Sequence, residues 1–324
     1  MGKFINPFTD VGFKKIFGQE VSKDLLIDFL NDLLVGERSI KDITFLDKEL
    51  LPEYMGDRGV IYDIYCTTEA GEHIIVEMQN RKHLNFVDRT LYYMCRAVSR
   101  QIEAPLAVEV HSPDDGEEGL EVREPSMSYG AIYKLHTVYG VFFMNFKEPD
   151  LPDRFRVDSG ILDIESHETL NPHFRQIYLQ FPYFTKELDE CETLLERLFY
   201  ALKNMEHWIR MPDALKEQVF AHLSRLAAVA NLSPENRLAY DRAVDRYNVN
   251  RLAEETFLQE VEEAKEKAIA EAKANGMKEG LREGLEKGRL SEKYAIAKNL
   301  KESGVSKSLI AQSTGLPEEK IEGL

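Results

Sequence analysis

Residues 60–79 constrain this chain more than any other stretch. Val-Ile-Tyr-Asp-Ile-Tyr-Cys-Thr-Thr and Glu-His-Ile-Ile-Val-Glu-Met-Gln flank Glu69-Ala70-Gly71. Two runs rich in β-branched and aromatic residues on either side of a glycine turn read as a strand, a turn and a strand. Each run carries an acid, Asp63 or Glu77, where a buried apolar residue is expected. A carboxylate buried alone is costly, so each acid needs a cation, a hydrogen-bond donor or water.

The turn decides whether the acids meet. In a three-residue loop the last residue often takes a left-handed conformation, which Gly71 adopts cheaply. Thr68 then pairs with Glu72, Asp63 lies opposite Glu77, and Gln79 shares the face of Glu77. A two-residue loop would instead set Asp63 opposite Met78 and turn Glu77 and Gln79 to the other face. In the first register, two carboxylates and a polar side chain suit a hard divalent ion such as Mg²⁺. Such an ion assists phosphodiester hydrolysis by polarising the phosphoryl oxygen and activating water. The spacing alone fits a satisfied pair of strand-end acids on a wet sheet face more readily than a metal site.

Asp63 followed by Glu77-Met78-Gln79 resembles the D…ExQ variant of the PD-(D/E)XK nuclease signature, with Gln where many relatives carry Lys. Asn-Pro-Phe-Thr-Asp-Val-Gly-Phe-Lys-Lys-Ile-Phe-Gly at 6–18 and Lys-Asp-Leu-Leu-Ile-Asp-Phe-Leu-Asn at 23–31 are similar to the Rpn family of recombination-promoting nucleases, also described as transposases. Asp88-Arg89 with Leu91-Tyr92-Tyr93, and a Gly-x-x-x-Gly tract near the C terminus, match the same pattern. The resemblance is specific over 3–101, thin to about residue 252, and returns in style beyond that. It implies an α/β fold with the PD-(D/E)XK restriction-endonuclease-like core, αβββαβ, followed by an all-α C-terminal region. It further implies Asp63 and Glu77 as ligands of Mg²⁺ or Mn²⁺, with the Met78 carbonyl as a further ligand. Gln79 would orient the attacking water, and Asp10 would be an accessory acid. Lys14, Arg81, Lys82 and Arg89 are the candidate phosphate contacts, against the alternative of solvated helix flanks with local ion pairs.

Charge bears on the partner. The chain of 324 residues has a formal net charge of −16, which speaks against a general polyanion binder. The surplus is concentrated: residues 105–190 hold 7 Lys+Arg against 17 Asp+Glu, whereas 1–104 hold 13 against 17. DNA contact is therefore expected to be local and strongly salt-dependent. Cys66, Cys95 and Cys191 are far apart, without a C-x-x-C, and read as reduced core thiols of a cytoplasmic protein. There is no long apolar stretch for a membrane span and no signal-peptide pattern at the N terminus.

Four regions are expected: a nuclease-like domain over 1–183, a helical region over 184–250, a charged helical arm over 251–290 and a small helical tail over 291–324. In the first, Thr9 or Asp10 caps a short helix with Phe13, Ile16 and Phe17 on one face, and Ser22 starts a second with Leu25, Leu26, Phe29, Leu30 and Leu33. Residues 41–51 read weakly as a strand and 52–59 as a loop. Residues 85–103 read as a helix with Phe86, Leu91, Met94, Cys95 and Val98 toward a core. An acidic loop is expected over 105–128, with strands over 131–146 and 155–165 and His136 packed within the former. Helices are expected over 188–211, 212–231 and 233–250, with Trp208 in the core.

In the arm, Gly276, Gly280, Gly284 and Gly288 form one stripe of small residues, which suits oligomerisation or a spacer and equally a frayed charged linker. Residues 305–316 resemble the start of a helix-turn-helix, but Glu318, Glu319 and Glu322 would repel phosphate. The leading expectation is a Mg²⁺-dependent DNA endonuclease of low sequence specificity, tied to mobile elements or phage defence. Its alternative is an inactive nuclease fold serving as an oligomeric interaction module.

Overall fold

The computed structural model describes residues 3–50, 59–102 and 134–324. Helices α1 (Asp10–Phe17) and α2 (Lys23–Leu33) come first, then strands β1 (Ile43–Phe45), β2 (Glu49–Leu50), β3 (Val60–Ile61), β4 (Ile64–Thr68) and β5 (His73–Gln79). Helix α3 (Phe86–Ser99) follows, then β6 (Val138–Met144), β7 (Arg156–Leu162) and β8 (Thr169–Gln180). The remaining elements are helical: α4 (Leu194–Asn204), α5 (Gln218–Leu226), α6 (Pro234–Glu302), α7 (Lys307–Thr314) and α8 (Glu318–Glu322). The architecture is mixed α/β. The acidic loop expected over 105–128 and most of the loop over 52–59 lie outside the described residues.

One sheet of six strands runs in the order β1-β4-β5-β6-β8-β7, and β2 pairs with β3 in a separate ladder. β4 is antiparallel to both of its neighbours, β1 and β5; β5, β6 and β8 are parallel neighbours, and β7 is antiparallel to β8. Alternation along β5 divides the core between the two faces. Ile74, Val76 and Met78 join an apolar cluster with α1, α2, α4 and α5; Ile75 joins another with Tyr62, Tyr65, Phe86 and Met94. All seven residues of β6 are buried, as a central parallel strand requires. Its Gly140 lets α3 close on the sheet, because an added Cβ would lie 2.5 Å from Met94 Sδ.

Local signals set the helix starts. The Thr9 hydroxyl accepts the Gly12 N–H at 3.0 Å and begins α1. Thr193 and Glu196 form a capping box that starts α4 at Leu194, so helix occupies less of 188–211 than the sequence suggested. Likewise 212–231 is helical only over Gln218–Leu226, apart from a short 3₁₀ turn at Val229–Asn231. Trp208 packs partly buried against the first cluster.

Other expectations need correction. Leu91 is 47 % exposed and Cys95 is exposed, so neither belongs to the core. The buried face of α3 runs through Phe86, Thr90, Met94 and Ala97, and Leu91 and Cys95 each stand one residue, about 100° of helix, away from it. His136 is exposed and precedes β6; its ring sits beneath the turn at Gly71. β8, a strand of 12 residues between β6 and the edge strand β7, is absent from the elements expected from the sequence. The helix expected over 233–250, the arm and the first part of the tail form one continuous α6 of 69 residues.

The chain forms two compact units, 1–248 and 249–324. Helices α4 and α5 share the first unit's main apolar cluster. In the second, Ala297, Ile310, Leu316 and Ile321 make a small core, and Gly304 and Gly315 turn the chain at φ of 79° and 68°. Gly276, Gly280, Gly284 and Gly288 are exposed, as are Phe257, Leu281 and Leu285. Among the described residues, no helix is long and apolar enough to cross a membrane.

Candidate active site

The hairpin has the three-residue loop. Gly71 has φ 84°, the Thr68 N–H bonds the Glu72 carbonyl at 2.9 Å, and Ile64 pairs with Val76. One step beyond that pair, Asp63 falls opposite Glu77. Here side chains replace the backbone ladder. The Asp63 N–H donates to Glu77 Oε1, and the Met78 N–H donates to Asp63 Oδ2, both at 3.0 Å. β4 begins at Ile64 because Asp63 has exchanged its backbone partner for a carboxylate. The Gln79 amide donates to Glu77 Oε2 at 3.2 Å. Asp63, Glu77 and Gln79 thus form one hydrogen-bonded group.

Its cation comes from another element. Lys14, on α1, places Nζ 2.6 Å from Asp10 Oδ1 and 3.3 Å from Asp63 Oδ1. Asp10 therefore touches the group only through Lys14. Arg89 enters from α3, its guanidinium 5.7 Å from the centre of the Phe86 ring and 5.6 Å from that of Tyr93. Its Nε is buried without a hydrogen-bond partner among the described residues. Two rings thereby hold a guanidinium near Glu77, whose charge it stabilises. Arg81 and Lys82 leave the end of β5 fully exposed.

Burial dominates the protonation of the acids. Glu77, 3 % exposed, is pushed up to about 8 by desolvation and then by the charge of Asp63, against the Asp63 N–H, Arg89 and Gln79. Asp63 is also raised by burial, opposed by the Met78 N–H and by Lys14. Burial first, and Lys14 second, push Lys48 below the ordinary lysine range, while Asp63 and Asp10 oppose this. The reading of the sequence missed Lys48. It lies between two short strands, and nothing in its neighbourhood along the chain marks it; the Tyr62 N–H bond to its carbonyl, at 2.9 Å, and the pairing of Glu49 with Ile61 bring it to the site.

A raised Glu77 makes the folded chain hold a proton that the unfolded chain has released above the ordinary glutamate range. Folding stability should therefore fall as pH rises from about 4.5 toward 8 in buffer without divalent ions. Glu77→Gln removes that contribution. Between pH 5 and pH 8 the variant is expected to lose roughly 5 °C less than the parent in the melting temperature of the first unit, followed by Trp208 fluorescence. Parallel melting curves for the two proteins across that range would contradict the assignment.

Among the described residues, no group of three His, Cys, Asp or Glu side chains gathers as a ligand set. Two adjacent carboxylates remain, with the amide of Gln79 beside them. All are hard oxygen donors or their neighbours, and two carboxylates suit an ion that keeps much of its water and takes further ligands from a phosphate. The residues present fit such an ion.

The fold is mixed α/β, and two acids from neighbouring strands meet at one end of its sheet. The model of the PD-(D/E)XK nuclease family transposase matches residues 7–111 and 122–253, and the chain belongs to that family. This agrees with the resemblance carried by Asp63, Glu77-Met78-Gln79 and the N-terminal motif. No curated protein and no solved structure matches the chain.

Proposed function

We propose that the protein is a divalent-metal-dependent DNA endonuclease of low sequence specificity, acting in recombination of mobile elements or in defence against phage. The observation that carries this reading is the reciprocal pairing of Asp63 and Glu77 at the end of β4 and β5. The order α2, β1, β4, β5, α3, β6 fits the αβββαβ core of such enzymes. Asp63 and Glu77 would hold Mg²⁺ or Mn²⁺. When bound, the ion supplies Lewis acidity toward a phosphoryl oxygen and makes water a competent nucleophile.

The chain's own residues supply the rest. Gln79, fixed by its bond to Glu77, has an amide to orient a water but no charge to stabilise the transition state. Arg89 is pre-stacked and turned toward Glu77, which suits a phosphate oxygen. Arg81 and Lys82, exposed just beyond β5, would meet flanking phosphates, where exposed cations position a strand without reading its bases. The Asp63 backbone N–H keeps the Glu77 carboxylate in one orientation, so the pair is ordered before substrate arrives. Free Cys66, Cys95 and Cys191 accord with a cytoplasmic setting.

A second reading is favoured by the exposed arm. Phe257, Leu281 and Leu285 are each about 60 % exposed or more on α6, and a homo-oligomer formed through the C-terminal helices would cover them. With an uncharged residue at position 79, a chain of this fold could serve as an oligomeric interaction module without cutting. Incubation of the purified chain with supercoiled plasmid and Mg²⁺ or Mn²⁺ separates the two. Nicking that is abolished by a chelator supports the enzyme, and intact plasmid supports the module.

A further inference from the structure

The four carboxylate oxygens of Asp63 and Glu77 each have a donor, and the donors differ in kind. Asp63 Oδ2 takes the Met78 N–H, Glu77 Oε1 takes the Asp63 N–H, and Glu77 Oε2 takes the Gln79 amide. Two of these are backbone groups at the end of the sheet, and the third is a neutral amide at the end of β5. Among the described residues, Asp63 Oδ1 is the one of the four in a direct ion pair, with the Lys14 ammonium at 3.3 Å. A divalent cation drawn to this pair must share that oxygen with Lys14 or take its place.

Lys14 is suited to leave. Its ammonium stands at the end of a flexible four-carbon stem, and its side chain is 33 % exposed. It has a second and shorter ion pair, 2.6 Å to Asp10 Oδ1, one turn back on its own helix. Asp10 is 59 % exposed, whereas Asp63 is 17 % exposed. Lys14 can therefore give up Asp63 and keep an anionic partner at the rim. Position 79 carries no charge, so the cation that a phosphodiester needs here has to come from elsewhere in the fold.

We propose that Lys14 is an exchangeable counter-ion of the acid pair: its ammonium and a divalent cation are alternative partners of Asp63 Oδ1, and the displaced ammonium, still tethered to Asp10, becomes a contact for the substrate phosphate. The inference rests on the nuclease reading above. It assigns Asp10 the role of a parking site for Lys14, and Lys14 the role of a substrate contact whose removal has opposite effects on metal binding and on cleavage.

Calorimetric titration of the full chain with MnCl₂ tests this, using the parent, Lys14→Met, Lys14→Arg and Asp63→Asn. Loss of a unit charge beside a ligand oxygen should tighten Mn²⁺ binding by about tenfold in Lys14→Met after screening. Lys14→Arg should bind as the parent does, and Asp63→Asn should lose the site. At saturating Mn²⁺, Lys14→Met should nick plasmid at least about tenfold more slowly, with Lys14→Arg restoring part of the rate. Circular dichroism verifies folding, and Lys14→Gln serves as a second neutral variant. If both neutral variants bind Mn²⁺ no more tightly than the parent while Asp63→Asn abolishes binding, the exchange is wrong and the nuclease reading stands. If Asp63→Asn binds as the parent does, both fall.

Discussion

Asp63→Asn is expected to lower Mg²⁺-dependent plasmid nicking by about a thousandfold or more while leaving the fold intact. The variant keeps a side-chain oxygen for the Met78 N–H that Asp63 accepts at 3.0 Å, so the sheet end is preserved. What it loses is the charge that would hold a divalent ion, and Lewis-acid stabilisation of a phosphoryl transition state is worth several kcal/mol, hence the thousandfold figure. Glu77→Gln should behave similarly, because its amide oxygen still accepts the Asp63 N–H. The check is gel quantification of nicked against supercoiled plasmid at several protein concentrations, with circular dichroism of each variant. Cutting that survives both substitutions would move the chemistry away from this strand end.

The largest effect on stability is expected from Phe143→Ala. The Phe143 ring lies 5.1 Å from that of Phe13, 5.9 Å from Phe17, 5.3 Å from Phe29 and 5.8 Å from Phe181. One side chain of a central strand thus joins α1, α2 and the segment after β8, and its loss would leave a cavity that four rings cannot easily close. Truncation of a buried Phe costs about 3–5 kcal/mol. Since the chain has two compact units, a single global melt would mix them. Trp208, the one tryptophan, lies in the first unit, so denaturant unfolding followed by its fluorescence reports on the relevant core. A change below about 1 kcal/mol would show that the cluster repacks.

The parts of this molecule that were legible in its sequence are those fixed by neighbours along the chain. Gly71 determines the loop length, the loop determines the register, and the register brings Asp63 to Glu77. Thr9 marks the start of α1 for the same local reason, whereas Ser22 precedes α2 without a side-chain cap, its hydroxyl bonding the Gln19 backbone instead. β8 was hidden because Asn171, Pro172 and His173 break its alternation and because two of its inward residues are polar. Gln180, fully buried, accepts the Glu148 N–H and donates to the carbonyls of Pro152 and Arg154, partners that no window of sequence reveals. The placement of Lys14 was equally hidden. As a cation on α1 it read as a phosphate contact; only the packing of that helix against the sheet sets it between Asp10 and Asp63. Leu91 and Cys95 failed by helix phase, since apolar character alone does not tell which of two adjacent residues faces inward.

The account stands on the capacity of Asp63 and Glu77 to bind a doubly charged ion together. Titration of the parent and of the Asp63→Asn/Glu77→Gln double variant with Mn²⁺, followed by the loss of the free ion's electron paramagnetic resonance signal, tests it most directly. Saturable uptake by the parent and none by the double variant is the expected result. Uptake undiminished in the double variant would contradict it.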